Sequence, residues 1–467
     1  MVTSSLLWAI IAIFFPLLVI VQGVRYEPNW KSIDSRKLPP WYDEAKFGIF
    51  INWGVYSVPG TISEWFWWYW KAKKSPQAVN YMKRNYKPGF TYADFAPLLT
   101  ASSFDPKEWA RIIKASGARY VVHTTKHCEG FTMFPSNYSW NWNSVDVGPN
   151  KDIVGELRQA ILNIGGIRFG LYFSLLEWFN PLYLKDKGNA FRTQEYVDMV
   201  SQPQLYEIVN NYKPDVIWSD GDWESTSTYW NSTNFLAWLY NESPVKGTVV
   251  TNDRWGSDTT CKHGGFLTCR DEFVPSKRMN RKWEMCLKTD RLSWGFRRII
   301  QAVDVLTVPQ LITHLVRTVS YGGNLLLNIG PTPDGTIFPV LQERLQQIGD
   351  WLRTNGEAIY ASKPWMKCQN DSHTPNVWYT TKPRASSVNE NDVIVYAIFL
   401  TWPDDNQLVL GCPKVTSPST ATVEMLGYGG MNFTMTTGGL LQVDLSQIRW
   451  KQLPSLVAWT LKLVGVS

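Results

Sequence analysis

A (β/α)8 barrel followed by a C-terminal all-β sandwich is the architecture this sequence predicts, on three observations. Apolar runs that end in polar clusters alternate with amphipathic helical stretches through the first three quarters of the chain. The last hundred or so residues carry short strands with no helical period. The length of 467 residues exceeds one ordinary core and suits a barrel of about 250 residues or more with a smaller partner domain.

Taken in order, Met1 to Gly23 comes first. An apolar run from Leu6 to Val21 has no charge after it until Arg25, and it closes on the small-residue end Val21-Gln22-Gly23. The run is shorter than the roughly 20 residues a spanning helix needs, so it reads as a cleaved secretory signal, residues 1–23. No later stretch is apolar enough to span, and stable membrane insertion is not expected after cleavage. Seven strand-like runs follow: "FGIFINW" (47–53), "RYVVHTTKH" (119–127), "RFGLYFS" (168–174), "DVIWSDG" (215–221), "TVVTND" (248–253), "WEMCL" (283–287) and "NLLLNIGP" (324–331). The long intervals between some of them leave room for an eighth. Between them, "DPKEWARIIKASG" places Pro106 at a first helical position and Trp109, Ile112 and Ile113 on one face. "DIVGELRQAILN" and "PQLITHLVRTVSYGG" read the same way. Continuous β-rich runs alternating with helices imply a parallel sheet buried on both sides. A Gly-rich phosphate turn after the first strand, common in open doubly wound sheets, is absent. The barrel is therefore assigned to 24–360, ending in a helix that Asn355-Gly356 is expected to stop. Residues 361–467 hold "NVWYTT", "VIVYAIFL", "QLVLG", "ATVEML", "LLQVDL" and "LVAWTLKLV", separated by Pro, Gly, Asn and Ser: a β-sandwich by pattern.

Composition narrows the function. The net charge of +6 is spread along the chain without a basic stripe, which argues against nucleic acid as a partner. Five N-glycosylation sequons, at Asn137, Asn231, Asn241, Asn370 and Asn432, agree with a secretory route, lysosomal or extracellular. Six cysteines are too few for a disulfide scaffold. Cys261 and Cys269 are spaced to close a small loop, whereas Cys128, Cys286, Cys368 and Cys412 have no assignable partner. No metal-ligand spacing occurs.

In a barrel, chemistry gathers at the carboxyl ends of the strands. Polar residues fall there: Asn52, His127, Asp220, Asn252 to Arg254, and Glu284. Asp220 directly follows an apolar strand and is expected at the barrel mouth, while Asp222 and Glu224 read as solvated loop charges. The chain holds 25 Trp, repeatedly beside carboxylate, amide or guanidinium groups, as in "SEWFWWYW", "SWNWN", "LLEWF", "DWES" and "NDRWG". Flat apolar rings with a hydrogen-bonding rim suit sugars. Two carboxylates across a sugar pocket imply glycoside hydrolysis.

The stretches "KFGIFINWGVYSVP", "SEWFWWYW", "TTKHCEGF", "FGLYFSLLEWF", "WSDGDWE", "NDRWG", "HGGF", "KWEMC", "GGNLLLNIGPTPDG" and "NGEAIYASKPW" resemble, in the same order, the animal lysosomal and plasma α-L-fucosidases, a retaining exo-glycosidase family. The resemblance runs from about residue 26 to the C-terminus. It implies release of terminal α-L-fucose from glycoproteins and glycolipids, fucosylated glycans as partners, a homo-oligomer and no cofactor. It implies Asp220 as nucleophile and either Asp271 or Glu284 as acid/base, with Asp271 preferred, and it flags Cys286, which by its surroundings reads as a core thiol. Glu64, His127, Trp218 and Arg254 match sugar-contacting positions. Three departures fall at positions expected to line the pocket. Asn52 and Cys128 stand where His is usual, and Phe173 where His or Tyr is usual; Arg278 replaces a Leu of the "KWExC" signature. An active enzyme with a retuned pocket and a weakened homologue kept for fucose binding are the two readings. The retained carboxylates favour the first.

Overall fold

A computed structural model describes residues 24–384, 393–416 and 419–467. The expected signal segment lies outside them. Among the described residues no helix is long and apolar enough to cross a membrane.

Seven parallel strands form the first sheet: β1 (Phe47–Ile51), β2 (Tyr120–Lys126), β3 (Arg168–Ser174), β4 (Val216–Asp220), β5 (Val250–Thr251), β6 (Glu284–Lys288) and β7 (Asn324–Ile329), in the order β5-β4-β3-β2-β1-β7-β6. The eighth sector is closed by a bridge rather than a full strand. Phe266 N donates to Thr251 O of β5, and Leu267 pairs in parallel with Trp283 just ahead of β6. The curled sheet thus closes as a (β/α)8-type barrel.

Strand alternation divides the apolar residues into two layers. Phe50, Tyr120, Val122, Tyr172, Val216, Trp218, Val250, Cys286 and Leu326 fill the barrel interior. Their alternates, among them Ile49, Val121, Leu171, Phe173, Ile217, Met285 and Leu327, pack outward against the helices. Gly48 is required by this filling, because a Cβ there would sit 2.5 Å from the Tyr120 ring. Helix Pro106–Ala115 begins as its sequence indicates: Asp105 accepts from Lys107 N and Glu108 N, and Trp109, Ile112 and Ile113 are buried.

One helix end differs from expectation. Asn355-Gly356 does not stop the helix, which runs Pro339–Ile359. Gly356 is there for space instead, since a Cβ would meet the Tyr360 ring at 2.8 Å.

Beyond this helix the strands are β8 (Lys363–Pro364), β9 (Val377–Pro383), β10 (Val393–Phe399), β11 (Gln407–Leu410), β12 (Thr422–Met425), β13 (Gly429–Gly430), β14 (Phe433–Met435), β15 (Leu441–Asp444) and β16 (Trp459–Val464). They form two antiparallel sheets, β13-β12-β16-β10-β9-β8 and β11-β15-β14, around Tyr379, Val395, Leu408, Leu441 and Leu461. The six expected strands are all present, and those not anticipated are two or three residues long. Cys261 pairs with Cys269 and Cys368 with Cys412, while Cys128 and Cys286 are free and buried.

Asn137, Asn370 and Asn432 of the five sequons are exposed, and Asn231 is half-buried. Asn241 is engaged: its amide accepts from Tyr26 N at 2.8 Å and donates to Tyr26 O at 2.7 Å.

Candidate active site

A cavity of about 260 Å³ opens at the carboxyl ends of the strands. Asp220 ends β4, on the same face as Val216 and Trp218, and so enters the cavity by strand parity alone. Gly221 follows with φ +69 and turns the chain sharply; a Cβ there would lie 2.5 Å from Ser174 Oγ. The Asp220 carboxylate has one partner on each oxygen. Tyr172 OH donates to Oδ2 at 2.8 Å, and Arg254 Nη1 to Oδ1 at 3.0 Å.

Arg254 organises the mouth. Its guanidinium lies 4.7 Å over the Trp218 ring and sends Nη2 to Asp271 Oδ1 at 2.6 Å and Nε to Thr268 Oγ1 at 3.1 Å. One rigid fork therefore joins two carboxylates across the cavity. Behind it, buried Asp253 accepts from Thr268 N and Oγ1 and from Cys261 N and Cys269 N, tying the disulfide loop into place. Burial pushes the Asp271 carboxyl up, but the charge and hydrogen bond of Arg254 outweigh it and hold the group below the usual carboxylate range. The Asp271 side chain is nevertheless 47 % exposed, that of Asp220 14 %, so Asp271 stands nearer the solvent at the cavity mouth. Cys286 lies beside it, its Sγ 3.7 Å from Asp271 Oδ1. It is buried, as expected of a core thiol, and it also forms part of the cavity wall.

The other walls come from three elements. Asn52, just past β1, donates to Asn328 Oδ1 at 3.1 Å. Glu64 is held through Oε2 by Ser293 Oγ, Trp294 N and Gly295 N at 3.1–3.2 Å. His127 reaches the cavity because β2 carries a register shift between Thr124 and Lys126. The bulge sends Lys126 outward to Glu177 and Gln204, both at 2.9 Å, and turns the next residue in. Burial disfavours the His127 cation, yet Glu129 at 3.2 Å, with Glu64 and Asp220 nearby, raises its pKa. Trp65 and Trp223 stack at the rim, ring centroids 5.6 Å apart.

Several expectations are corrected. Glu284 begins β6 instead of standing at a carboxyl end, and it lies beneath the cavity floor, fully buried. Its oxygens accept from Trp218 Nε1 at 2.9 Å, Tyr42 OH at 2.7 Å and Tyr120 OH at 2.5 Å, and burial raises its pKa. Phe173 faces outward, its ring 4.2 Å from Lys126 Nζ; Tyr172, one residue earlier, has the inward parity. Cys128 also turns away, its sulfur taking a hydrogen bond from Ser174 Oγ at 3.3 Å. Asp222 is buried, with burial and then the Asp220 charge raising its pKa to about 6, and it accepts from Gly256 N. Glu224 accepts from Tyr183 OH and Lys187 Nζ. Asn52, Glu64, His127, Trp218, Asp220, Arg254, Asp271 and Cys286 are brought together. Tyr172, Trp65, Trp223, Phe50 and Trp294 complete the cavity and were not singled out. Tyr172 was accessible in principle, two positions before Ser174 on an alternating strand.

The sequence model described as Alpha-L-fucosidase matches residues 18–357, and that described as Alpha-L-fucosidase C-terminal domain matches residues 369–464. The chain belongs to the α-L-fucosidase family. It is 55% identical to an alpha-L-fucosidase of Branchiostoma floridae over 95% of this chain and 96% of that one. It is 53% identical to the plasma alpha-L-fucosidase of Homo sapiens, covering 95% and 94%, and 55% identical to the human tissue alpha-L-fucosidase, covering 95% and 92%. Among solved structures, Thermotoga maritima alpha-fucosidase in complex with fucose superposes with a TM-score of 0.77 at 34% identity, covering 94% of this chain and 100% of that chain. Family membership thus spans both the barrel and the sandwich.

Proposed function

We propose that the protein is a retaining exo-α-L-fucosidase whose nucleophile is Asp220 and whose acid/base is Asp271. The observation that carries this reading is the Arg254 fork, which holds both carboxylates at the mouth of one aromatic-floored cavity. Carboxyl groups about 5–5.5 Å apart serve retaining enzymes, and a wider gap of about 6.5–9.5 Å admits the water of inverting ones. A single guanidinium bonded to both groups keeps them on one side of the cavity mouth, and the retaining assignment itself follows the family.

In the first step an Asp220 oxygen bonds to the anomeric carbon as the glycosidic C–O bond breaks and Asp271 gives its proton to the departing oxygen. In the second, Asp271 takes a proton from water, whose oxygen replaces Asp220 at the same carbon. Before attack Arg254 offsets the charge of Asp220 and Tyr172 donates a hydrogen bond to it, and both bonds weaken as the carboxylate gives its electron pair to the positively charged anomeric carbon. Glu284, with its oxygens committed to Tyr42, Tyr120 and Trp218, acts on this reading as a prop for the Trp218 ring.

The substrates are fucosylated glycans, and a secretory-pathway location, lysosomal or extracellular, belongs to the same reading, as does a homo-oligomer. The weakened-homologue reading loses much of its ground, because two of the three departures, Cys128 and Phe173, face away from the cavity. Release of nitrophenol from an aryl α-L-fucoside, beside an Asp220→Ala control and with the anomer of the freed fucose followed by NMR, tests the proposal. Turnover giving the α-anomer first, lost in the control, is expected. First release of the β-anomer, or equal rates in the control, would overturn it.

A further inference from the structure

Beside the cavity lies a segment whose chemistry the release of fucose does not use. From Trp65 to Ala93 the chain has six cations, at Lys71, Lys73, Lys74, Lys83, Arg84 and Lys87, and no Asp or Glu. A π-helix, Trp68–Ala72, lies near its start and buries none of its residues, although three of them are Trp68, Tyr69 and Trp70. A wider helical turn of this kind is frequent at functional sites.

The segment is continuous with the catalytic mouth. Trp65 forms part of the cavity wall, Trp68 packs edge-on to it with centroids 5.6 Å apart, and Lys73 Nζ stands 5.9 Å from the Trp68 ring. Lys71 Nζ lies 4.0 Å over Trp70. On the same side is a second hollow of about 420 Å³, lined by Trp67, Lys71, Trp142, Phe179, Glu129 and Glu177 among others. Its two carboxylates are already paired, Glu129 with His127 and Glu177 with Lys126. Aromatic walls with fixed polar groups suit a neutral sugar ring, and exposed Lys71, Lys73 and Lys74, which form no ion pair among the described residues, suit a charge.

We propose that the Trp65–Lys74 arm and this hollow bind the part of the glycan beyond fucose, and that they favour glycans carrying an anionic group, either a sulfate ester or a sialic acid carboxylate. This rests on the proposed fucosidase reading for the placement of the sugar chain. The hollow takes a neutral residue of the chain. Lys71, Lys73 and Lys74 take the charge, with little competition from acidic side chains on their own segment.

The test is a matched set of fucosylated oligosaccharides, neutral, sulfated and sialylated, compared by kcat/KM in low and high salt. At low salt the charged substrates are expected to exceed the neutral one by about tenfold, and the gap should close as salt screens it. The K71Q/K73Q/K74Q variant should bring the charged-to-neutral ratio toward one, and the matching Lys→Arg variant should keep it. The ratio is taken within one protein, so a general loss of folding cancels. A gain with only one of the two anions assigns the source. Equal values for all three substrates in the wild type, or a gap that survives the Gln variant, would overturn the proposal. If no fucoside is turned over at all, the catalytic reading has failed, and calorimetric titration of the same oligosaccharides into Asp220→Asn protein decides the arm separately: salt-sensitive preference for the charged ones supports it, and equal affinity ends it.

Discussion

Arg254 couples the state of Asp271 to that of Asp220, and this fixes the direction of the pH response. The pair lowers the pKa of Asp271, whereas the proposed first step needs it protonated. Activity is therefore expected to fall as pH rises from acidic values. Arg254→Gln should move the falling limb of the kcat/KM profile toward higher pH and lower kcat by about 10²–10³-fold. A limb that stays in place would remove Arg254 as its cause. A second contrast separates neighbouring residues on β3. Tyr172→Phe removes a donor to Asp220 and should cost roughly 1.5–3 kcal/mol in kcat/KM, about 10- to 100-fold, with little change in melting temperature. Phe173→Tyr should leave kcat/KM near wild type and lower the melting temperature, because a hydroxyl is forced into the packed wall beside Lys126. The inward residues of β4 were readable from alternation. Tyr172 was not recognised, since the departure from family usage drew attention to the next position. Asp222 was misjudged because nothing in "DGDWE" reveals that Gly256 covers it.

At the scale of elements, β2 shows what a pattern of residue types cannot display. Its apolar run is plain in the sequence, but the register shift that separates Lys126 from His127 adds a residue without a signature of its own. The same strand buries His123 completely, and among the described residues neither ring nitrogen has a hydrogen-bond partner. Burial lowers its pKa from 6.5 to about 3. The unfolded chain accepts a proton below about 6.5 and the folded one does not, so this group's contribution is complete above 6.5 and is lost as pH falls toward 3. The loss is about 1.4 kcal/mol for each pH unit in that window. In chemical denaturation from pH 7 to pH 4, His123→Leu should therefore gain stability relative to wild type at each step down. A difference independent of pH would show that the ring is solvated or protonated in the native state. Helix Pro339–Ile359 makes a related point. An Asn-Gly pair is a good stop signal locally, yet the ring of Tyr360 and the neighbouring domain keep the last turn helical.

At the scale of the whole molecule, the sandwich is joined to the barrel along one helical flank. Trp351 Nε1 donates to Ala458 O, Thr380 Oγ1 to Ala358 O, and Glu357 accepts from Tyr396 OH and pairs with Lys462. Trp378, Tyr396 and Ile398 of the outer sheet face belong to the barrel's apolar core. At the barrel's lower end Asp43 gathers Lys46, Lys282 and Lys363. Calorimetry is expected to give one cooperative transition for both domains, and two resolved transitions would contradict the shared core. The alternating runs made both architectures legible, but the junction was not, because outward Trp378, Tyr396 and Ile398 mark a buried face without naming the helix that covers it. The barrel's closure was equally hidden: Phe266 and Leu267 bridge β5 to the start of β6, inside a loop clipped by Cys261–Cys269 and followed closely by Asp271. Six of the strands are thus each followed by a helix, while the stretch between β5 and β6, which bears the proposed acid/base, is a seam. Insertions or deletions there would move Asp271, the proposed proton donor, without disturbing the strand of Asp220, so in directed evolution this sector is the place where linkage preference is expected to drift at the least cost to the fold.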